Sequence, residues 1–340
     1  MSSELLLDLK DVSVSFGGGI GSKAPFVALE NLNLSIASNR PEIVAVAGES
    51  GSGKTTLGRV VLGLLQPTAG SVAFEGADVW HSGAARTKSF RRAVQAVFQD
   101  PFSVFNPFYP VDHLLRGPLE AFGIARDRAT QLELMTSALR QVGLKPDQVF
   151  GRYPHQLSGG QRQRIVVARA LMLRPKLIVA DEPVSMIDAS LRANVLTNLA
   201  ALRDEHGISI IYITHDLATA RQVSDRLFVL YRGRAVEVGG ASDVIGSPKH
   251  PYTQLLMSSI PRPDPEKPWP VLSGAKGEIG TSDRRACVFL DRCPHRMPAC
   301  ATQPPLVATD PGRHVACHLY TAAGDTRHEP AALNLENHEG

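Results

Sequence analysis

The sequence predicts an α/β fold on a parallel sheet, with an antiparallel β piece ahead of it, a helical subdomain inside it and a small cysteine-containing C-terminal domain behind it. Three observations carry this expectation. Apolar runs such as "PEIVAVAG" (41–48), "PKLIVADEP" (175–183) and "GISIIYITHD" (207–216) read as strands buried on both faces. Stretches with helical spacing, at 54–65 and 189–205, alternate with them. A glycine-rich loop, "GESGSGKTT" (48–56), joins the first run to the first helix.

Taken in order, "LLLDLKDVSVSF" (5–16) alternates as a strand does, "FGGGIGSKAP" (16–25) is a turn or loop, and "VALENLNLSI" (27–36) is a second strand. Pro67 lies just beyond the helix at 54–65, and "GSVAFEG" (70–76) returns to strand. From about 101 to 174 the pattern is helical and broken by prolines, which marks the helical subdomain. "DRLFVLYRGRAVEVG" (225–239) reads as a hairpin turning at Arg232-Gly233. "PRPDPEKPWP" (261–270) is a semi-rigid, proline-rich linker. It separates a domain over 1–260 from a cysteine module over 261–322, and a small polar tail follows at 323–340.

Bulk composition narrows the function. The 340 residues are enough for two or three domains, and 43% apolar with 20% charged residues is ordinary globular usage. A net charge of +3 gives no concentrated basic face of the kind nucleic acid binding needs. The longest apolar runs fall well short of the ~20 residues that cross a bilayer. The start, "MSSELLLDLKDV", has no basic segment followed by an apolar core, so no signal peptide is expected. The expected place is the cytoplasm, with partners supplying any membrane part.

The loop at 48–56 fits G-x-x-x-x-G-K-[ST] between a strand and a helix, the context the motif needs. Gly48, Gly51 and Gly53 let the backbone approach phosphates and aim N–H groups at them. Glu49, Ser50, Ser52 and Thr56 complete the cradle. Lys54 sets a charge against the outer phosphates, and Thr55 offers a hydroxyl to Mg²⁺. Asp181 and Glu182 end a buried strand: Asp181 would hold Mg²⁺, and Glu182 would act as general base on the attacking water. His215 ends another buried strand, and in open parallel sheets ligands gather at carboxyl ends. It is assigned to the γ-phosphate. Gln99, after "VQAVF", fits Mg²⁺, the attacking water or a surface position, and Phe16 fits either an adenine ring or the core. Ser158, Gly159 and Gly160 form a second phosphate-ready helix start, which reads equally as a plain N-cap.

The ordered set GESGSGKT, Gln99, LSGGQ, LIVADE, Asp188 and His215 resembles the nucleotide-binding subunit of an ATP-binding cassette (ABC) transporter over about residues 5–260. The resemblance implies a P-loop NTPase (RecA-like) core and a head-to-tail dimer with a second ABC ATPase subunit. Each ATP would lie between one subunit's Lys54 cradle and the other's Ser158, Gly159, Gly160 and Gln161. "SMIDAS" (185–190) stands where the family usually has Ser-Ala-Leu-Asp and keeps Asp188, which implies cross-talk between the two sites. Phe16 takes the place of the family's adenine-stacking aromatic. Phe102, Phe105 and Phe108 lie where a permease's coupling helix docks, and are contact candidates or subdomain core.

"HPYTQLLMSSIPRP" (250–263) and the cysteine module resemble the C-terminal region of dipeptide and oligopeptide importer ATPases, some relatives of which carry oligosaccharides. That implies two permease subunits, an extracytoplasmic solute-binding protein, and a peripheral position on the cytoplasmic face of the membrane. A soluble cassette acting on nucleic acid is the alternative. Such proteins often carry two cassettes in one chain or a long coiled-coil insertion, and neither appears in this sequence. The cysteines run C-x5-C-x6-C-x16-C, neither a tight zinc-finger nor a ferredoxin spacing. By spacing they are a four-thiolate metal site or free thiols. The resemblance implies a [4Fe–4S] ligand set of Cys287, Cys293, Cys300 and Cys317, with zinc and reduced thiols as alternatives.

Overall fold

The structure is a computed structural model that describes residues 5–17, 25–81, 83–97, 104–185, 189–259 and 284–321. The linker expected at 261–270, the tail, Gln99, Phe102 and Asp188 lie outside the described residues.

The chain runs β1 (Leu5–Phe16), β2 (Phe26–Ala37), β3 (Ile43–Ala47), α1 (Lys54–Val61), β4 (Ala69–Phe74), β5 (Ala77–Asp78), α2 (Ala84–Ala93) and β6 (Val94–Val97). The helical subdomain follows with α3 (Val111–Ala121), α4 (Arg128–Gln141) and α5 (Gly159–Leu171). Then come β7 (Leu177–Asp181), α6 (Ala189–Asp204), β8 (Ser209–Thr214), α7 (Leu217–Val223), β9 (Arg226–Tyr231), β10 (Arg234–Gly240), α8 (Ala241–Gly246) and α9 (Pro251–Ser258). Two short strands, β11 (Val307–Asp310) and β12 (Arg313–Val315), close the described chain.

These strands form two sheets. The smaller is antiparallel, in the order β2-β1-β4-β5. The larger runs β11-β12-β10-β9-β3-β8-β7-β6, parallel from β9 to β6 and antiparallel beyond β9. Period-two alternation divides its side chains between two cores. Ile43, Ala45 and Ala47 of β3, Ile210 and Tyr212 of β8, and Leu227 and Val229 of β9 pack towards the helical subdomain. Val44, Val46, Ile211, Ile213, Phe228 and Leu230 face the small sheet and Leu57 of α1. Burial on both faces is why these strands read as unbroken apolar runs.

Arg232 and Gly233 join β9 to β10 with φ of 46° and 83°. Positive φ at both central residues matches the right-handed strand twist. Helix α1 stops at Val61, four residues before the expected Leu65, because Gly63 turns left-handed at φ 64° just past its end.

The C-terminal segment departs from expectation. A separate cysteine module is expected, yet β12 pairs with β10 in the main sheet. Cys287, Val288, Phe289 and Cys300 belong to the same buried core as β3 and β8. Phe289 packs edge-on against Tyr231 and tilted against Tyr252 and His250, at ring separations of 5.3–5.9 Å. The segment adds an edge to the larger sheet. Its strands are only three and four residues long, too short to show in the pattern.

Candidate active site

Strands β3, β8 and β7 are neighbours, with Ala47 paired to Thr214 and Asp181 to Ile213. Their carboxyl ends therefore deliver Gly48, His215 and Asp181-Glu182 to one crevice. The loop 48–53 leaves β3 and enters α1, whose N-cap is Gly53. Its glycines are demanded by space and by φ. Gly48 sits at φ 154°, and a Cβ there would lie 2.2 Å from the Leu230 carbonyl oxygen. Gly53 sits at φ 107°, and its Cβ would lie 2.6 Å from the Ala28 carbonyl oxygen. Gly51, at φ 78°, faces open space.

Lys54 is buried at the first position of α1, and its Nζ donates to the carbonyls of Gly48 (2.7 Å) and Glu49 (2.9 Å). Burial holds its pKa below the usual lysine value, against the raising influence of Glu182, Asp181 and Glu49. Burial pushes the Asp181 carboxyl up, and a hydrogen bond with the Thr55 side chain partly offsets this. A hydroxyl beside a carboxylate is a hard-oxygen pair of the kind Mg²⁺ takes, alongside phosphate and water oxygens. Ser52 Oγ is buried without a hydrogen-bond partner, a spare hydroxyl within the cradle. These features fit a magnesium-bound triphosphate.

Glu182 follows β7 in the left-handed region, at φ 47°. Such a backbone costs ~1–3 kcal/mol for a non-glycine residue and has to be held by its surroundings. Its N–H donates to the Ile213 carbonyl (2.9 Å), and its carbonyl accepts from Ser185 N–H (3.2 Å) and Oγ (3.0 Å). His215 Nδ1 lies 3.0 Å from Glu182 Oε1. Glu182 and His215 thus form one unit; the sequence placed both in the crevice but not in contact.

Ser158 caps α5 (Oγ accepts from Gln161 N–H at 3.2 Å), and Gln161 Oε1 accepts in return from Ser158 N–H at 2.9 Å. Both the capping residue and Gly159 are exposed, and a Cβ on Gly159 would meet nothing within 4 Å. Nothing among the described residues therefore requires that glycine.

Phe16 ends β1 and is 44% exposed, with the rim-like placement a stacking ring needs. The sequence reading missed its cross-strand partner Phe26, which is 62% exposed. Two solvent-facing rings in register are an unusual surface for a strand pair, and only the pairing reveals them. In the helical subdomain Phe105 is buried, so it is core, whereas Phe108 is 85% exposed beside half-exposed Tyr109.

The four cysteines carry free thiols, with Cys287, Cys300 and Cys317 buried and Cys293 half-buried. Burial pushes Cys287 up to about 11 and raises Cys293 and Cys317. The thiols lie within electrostatic reach of one another. Among the described residues, however, no three His, Cys, Asp or Glu side chains are grouped to hold a metal ion. The expected ligand set of Cys287, Cys293, Cys300 and Cys317 gains no support from this arrangement.

Strand ends that bring a phosphate loop, an Asp-Glu pair and a histidine to one crevice suit a nucleotide-hydrolysing cassette. The chain belongs to the ABC transporter family as an ATPase subunit. The ABC transporter profile matches residues 29–185, and that of the oligopeptide/dipeptide transporter C-terminal region matches residues 236–300. YkfD of Bacillus subtilis, a putative oligopeptide transport ATP-binding protein, is 41% identical over 94% of this chain and 96% of its own length. A putative peptide import ATP-binding protein of Brucella ovis is 44% identical, over 85% of this chain and 90% of its own. Among solved structures, the dimeric post-hydrolysis state of the cassette MJ0796 bound to ADP and Pi has a TM-score of 0.61 at 28% identity. It covers 69% of this chain and 98% of that one.

Proposed function

We propose that this chain energises an importer of di- or oligopeptides, or of similar solutes such as oligosaccharides, from the cytoplasmic face of the membrane. The observation that carries the reading is the convergence of Lys54, Thr55, Asp181, Glu182 and His215 on adjacent strand ends, within a chain whose relatives are named for peptide transport. The loop amides and Lys54 bind the triphosphate, and Phe16 with Phe26 stacks on the base. Thr55, Asp181 and Gln99 would hold Mg²⁺, which when bound would neutralise charge developing on the phosphates. Glu182 takes the proton of the attacking water, and His215 orients that carboxylate and contacts the γ-phosphate. Ser158, Gly159, Gly160 and Gln161 serve the nucleotide of a second ATPase subunit, whether identical or a sibling, and Asp188 links the two sites across the seam. Closing that seam on ATP and opening it after hydrolysis drives two permeases fed by a solute-binding protein.

No helix among the described residues is long and apolar enough to cross a membrane, so attachment falls to a docking surface. The exposed Phe108 and Tyr109 are that surface's apolar anchor. In fractionated native cells the wild-type chain is expected to sediment with membranes, and Phe108→Asp to move it to the soluble fraction with ATP binding unchanged. A wild-type chain found wholly in the soluble fraction would remove the importer reading.

A [4Fe–4S] cluster on Cys287, Cys293, Cys300 and Cys317 belongs to this reading on the resemblance to oligopeptide transporter C-terminal regions alone. Such a cube spreads its ligands more widely than a single ion does. Anaerobically purified full-length protein is then expected to hold about four iron atoms, with acid-labile sulfide, per chain. Iron well below one per chain removes the cluster.

A further inference from the structure

The C-terminal segment reaches the phosphate-binding loop directly. Arg292 precedes the half-buried Cys293, far in sequence from the loop. Its two terminal nitrogens donate to both oxygens of Glu49, at 2.8 and 2.9 Å. The guanidinium also lies over the rings of Tyr231 and Phe289, each 5.8 Å away, which fixes its plane. From the other side, the backbone N–H of Glu49 donates to the Tyr252 hydroxyl at 2.8 Å. Tyr252 is fully buried and packs on Phe289. The second residue of the cradle is thus held by its side chain and its backbone, from two elements outside the loop.

Glu49 is an awkward residue for a site that receives a polyanion. Its charge acts on Lys54, whose task is to meet the outer phosphates. An unpaired carboxylate here repels the triphosphate and competes for that lysine. The bidentate Arg292 fork neutralises it and turns it away.

We propose that Arg292 is a positioning residue of the ATP site, by which the C-terminal segment sets nucleotide affinity. This rests on the reading of residues 48–56 as the ATP cradle. Arg292 touches no reacting atom and acts through Glu49. Loss of its grip therefore raises the KM for ATP and leaves kcat at saturation unchanged.

The test is MgATP binding to the full chain in the Glu182→Gln background, with steady-state kinetics in the parent and thermal melting of every variant without nucleotide. Arg292→Ala is expected to weaken ATP by about threefold to tenfold, the reach of a partly exposed fork. Arg292→Lys, charged but unable to fork, falls between it and the parent. The double variant Glu49→Gln/Arg292→Ala binds more tightly than Arg292→Ala, because the repelling charge has gone. A purely structural arginine would give additive losses that track melting temperature. Unchanged affinity in both Arg292 variants, or additive losses in the double variant, overturns the proposal while the ATPase reading stands. Absence of ATP binding by the parent overturns both.

Discussion

Glu182→Gln is expected to lower ATP turnover by about 10²- to 10⁴-fold, the span of general base catalysis, and to leave MgATP binding intact. The substitution isolates one property. Glutamine matches glutamate in shape, and both bear the same cost of the left-handed backbone at φ 47°. The main-chain hydrogen bonds to Ile213 and Ser185 are unaffected by the exchange. The carboxamide can still meet His215 Nδ1 across the present 3.0 Å. What disappears is an oxygen able to accept the proton of water. On the proposed reading, bound ATP then persists and keeps the two ATPase subunits together. Steady-state phosphate release and equilibrium ATP binding check the two halves separately. Turnover within threefold of wild type would remove Glu182 as the base, and lost ATP binding would show that its carboxylate is needed to hold the nucleotide.

The convergence of these strand ends was legible in the sequence because it is written locally. Residues 48–56 are contiguous, and Asp181, Glu182 and His215 each close an apolar run, so a parallel sheet brings them together without knowledge of side chains. Contacts made by pairing or over long separation leave no such trace. Phe26 counts only because it faces Phe16 across β1 and β2. Arg292 and Tyr252 count only because Phe289 packs them beside the loop. A proline-rich stretch at 261–270 reads as a boundary, whereas the segment beyond it returns to the sheet it left. Linker composition reports stiffness and solvation, not whether the chain behind it docks.

Arg313→Met is expected to destabilise the protein by about 3–5 kcal/mol, the cost of leaving one member of a buried ion pair without the other. Glu237 of β10 has 0% side-chain exposure and Arg313 of β12 has 6%. Arg313 Nε donates to Glu237 Oε1 at 3.2 Å, and a terminal nitrogen of the same guanidinium reaches that oxygen and the Ser247 carbonyl. The two Glu237 oxygens also accept from the N–H groups of Lys249 (3.0 Å) and His250 (2.9 Å). The pair thus ties the C-terminal strand, β10 and the entry to α9 into one node. Nearby, burial holds His250 down to about 4, so its ring is neutral at pH 7 and cannot replace the lost cation. With Arg313 gone, the Glu237 charge stays buried on two amides alone. Urea unfolding of the full chain should show the loss. Glu237→Gln/Arg313→Met should recover part of it, since that double variant buries no charge. Limited proteolysis should cut Arg313→Met between residues 284 and 321 sooner than wild type, because β12 no longer has its anchor to β10. A loss under 1 kcal/mol, with the segment still protected, would mean that the two-residue pairing of β12 with β10 and the packing of Phe289 hold the segment without the ion pair.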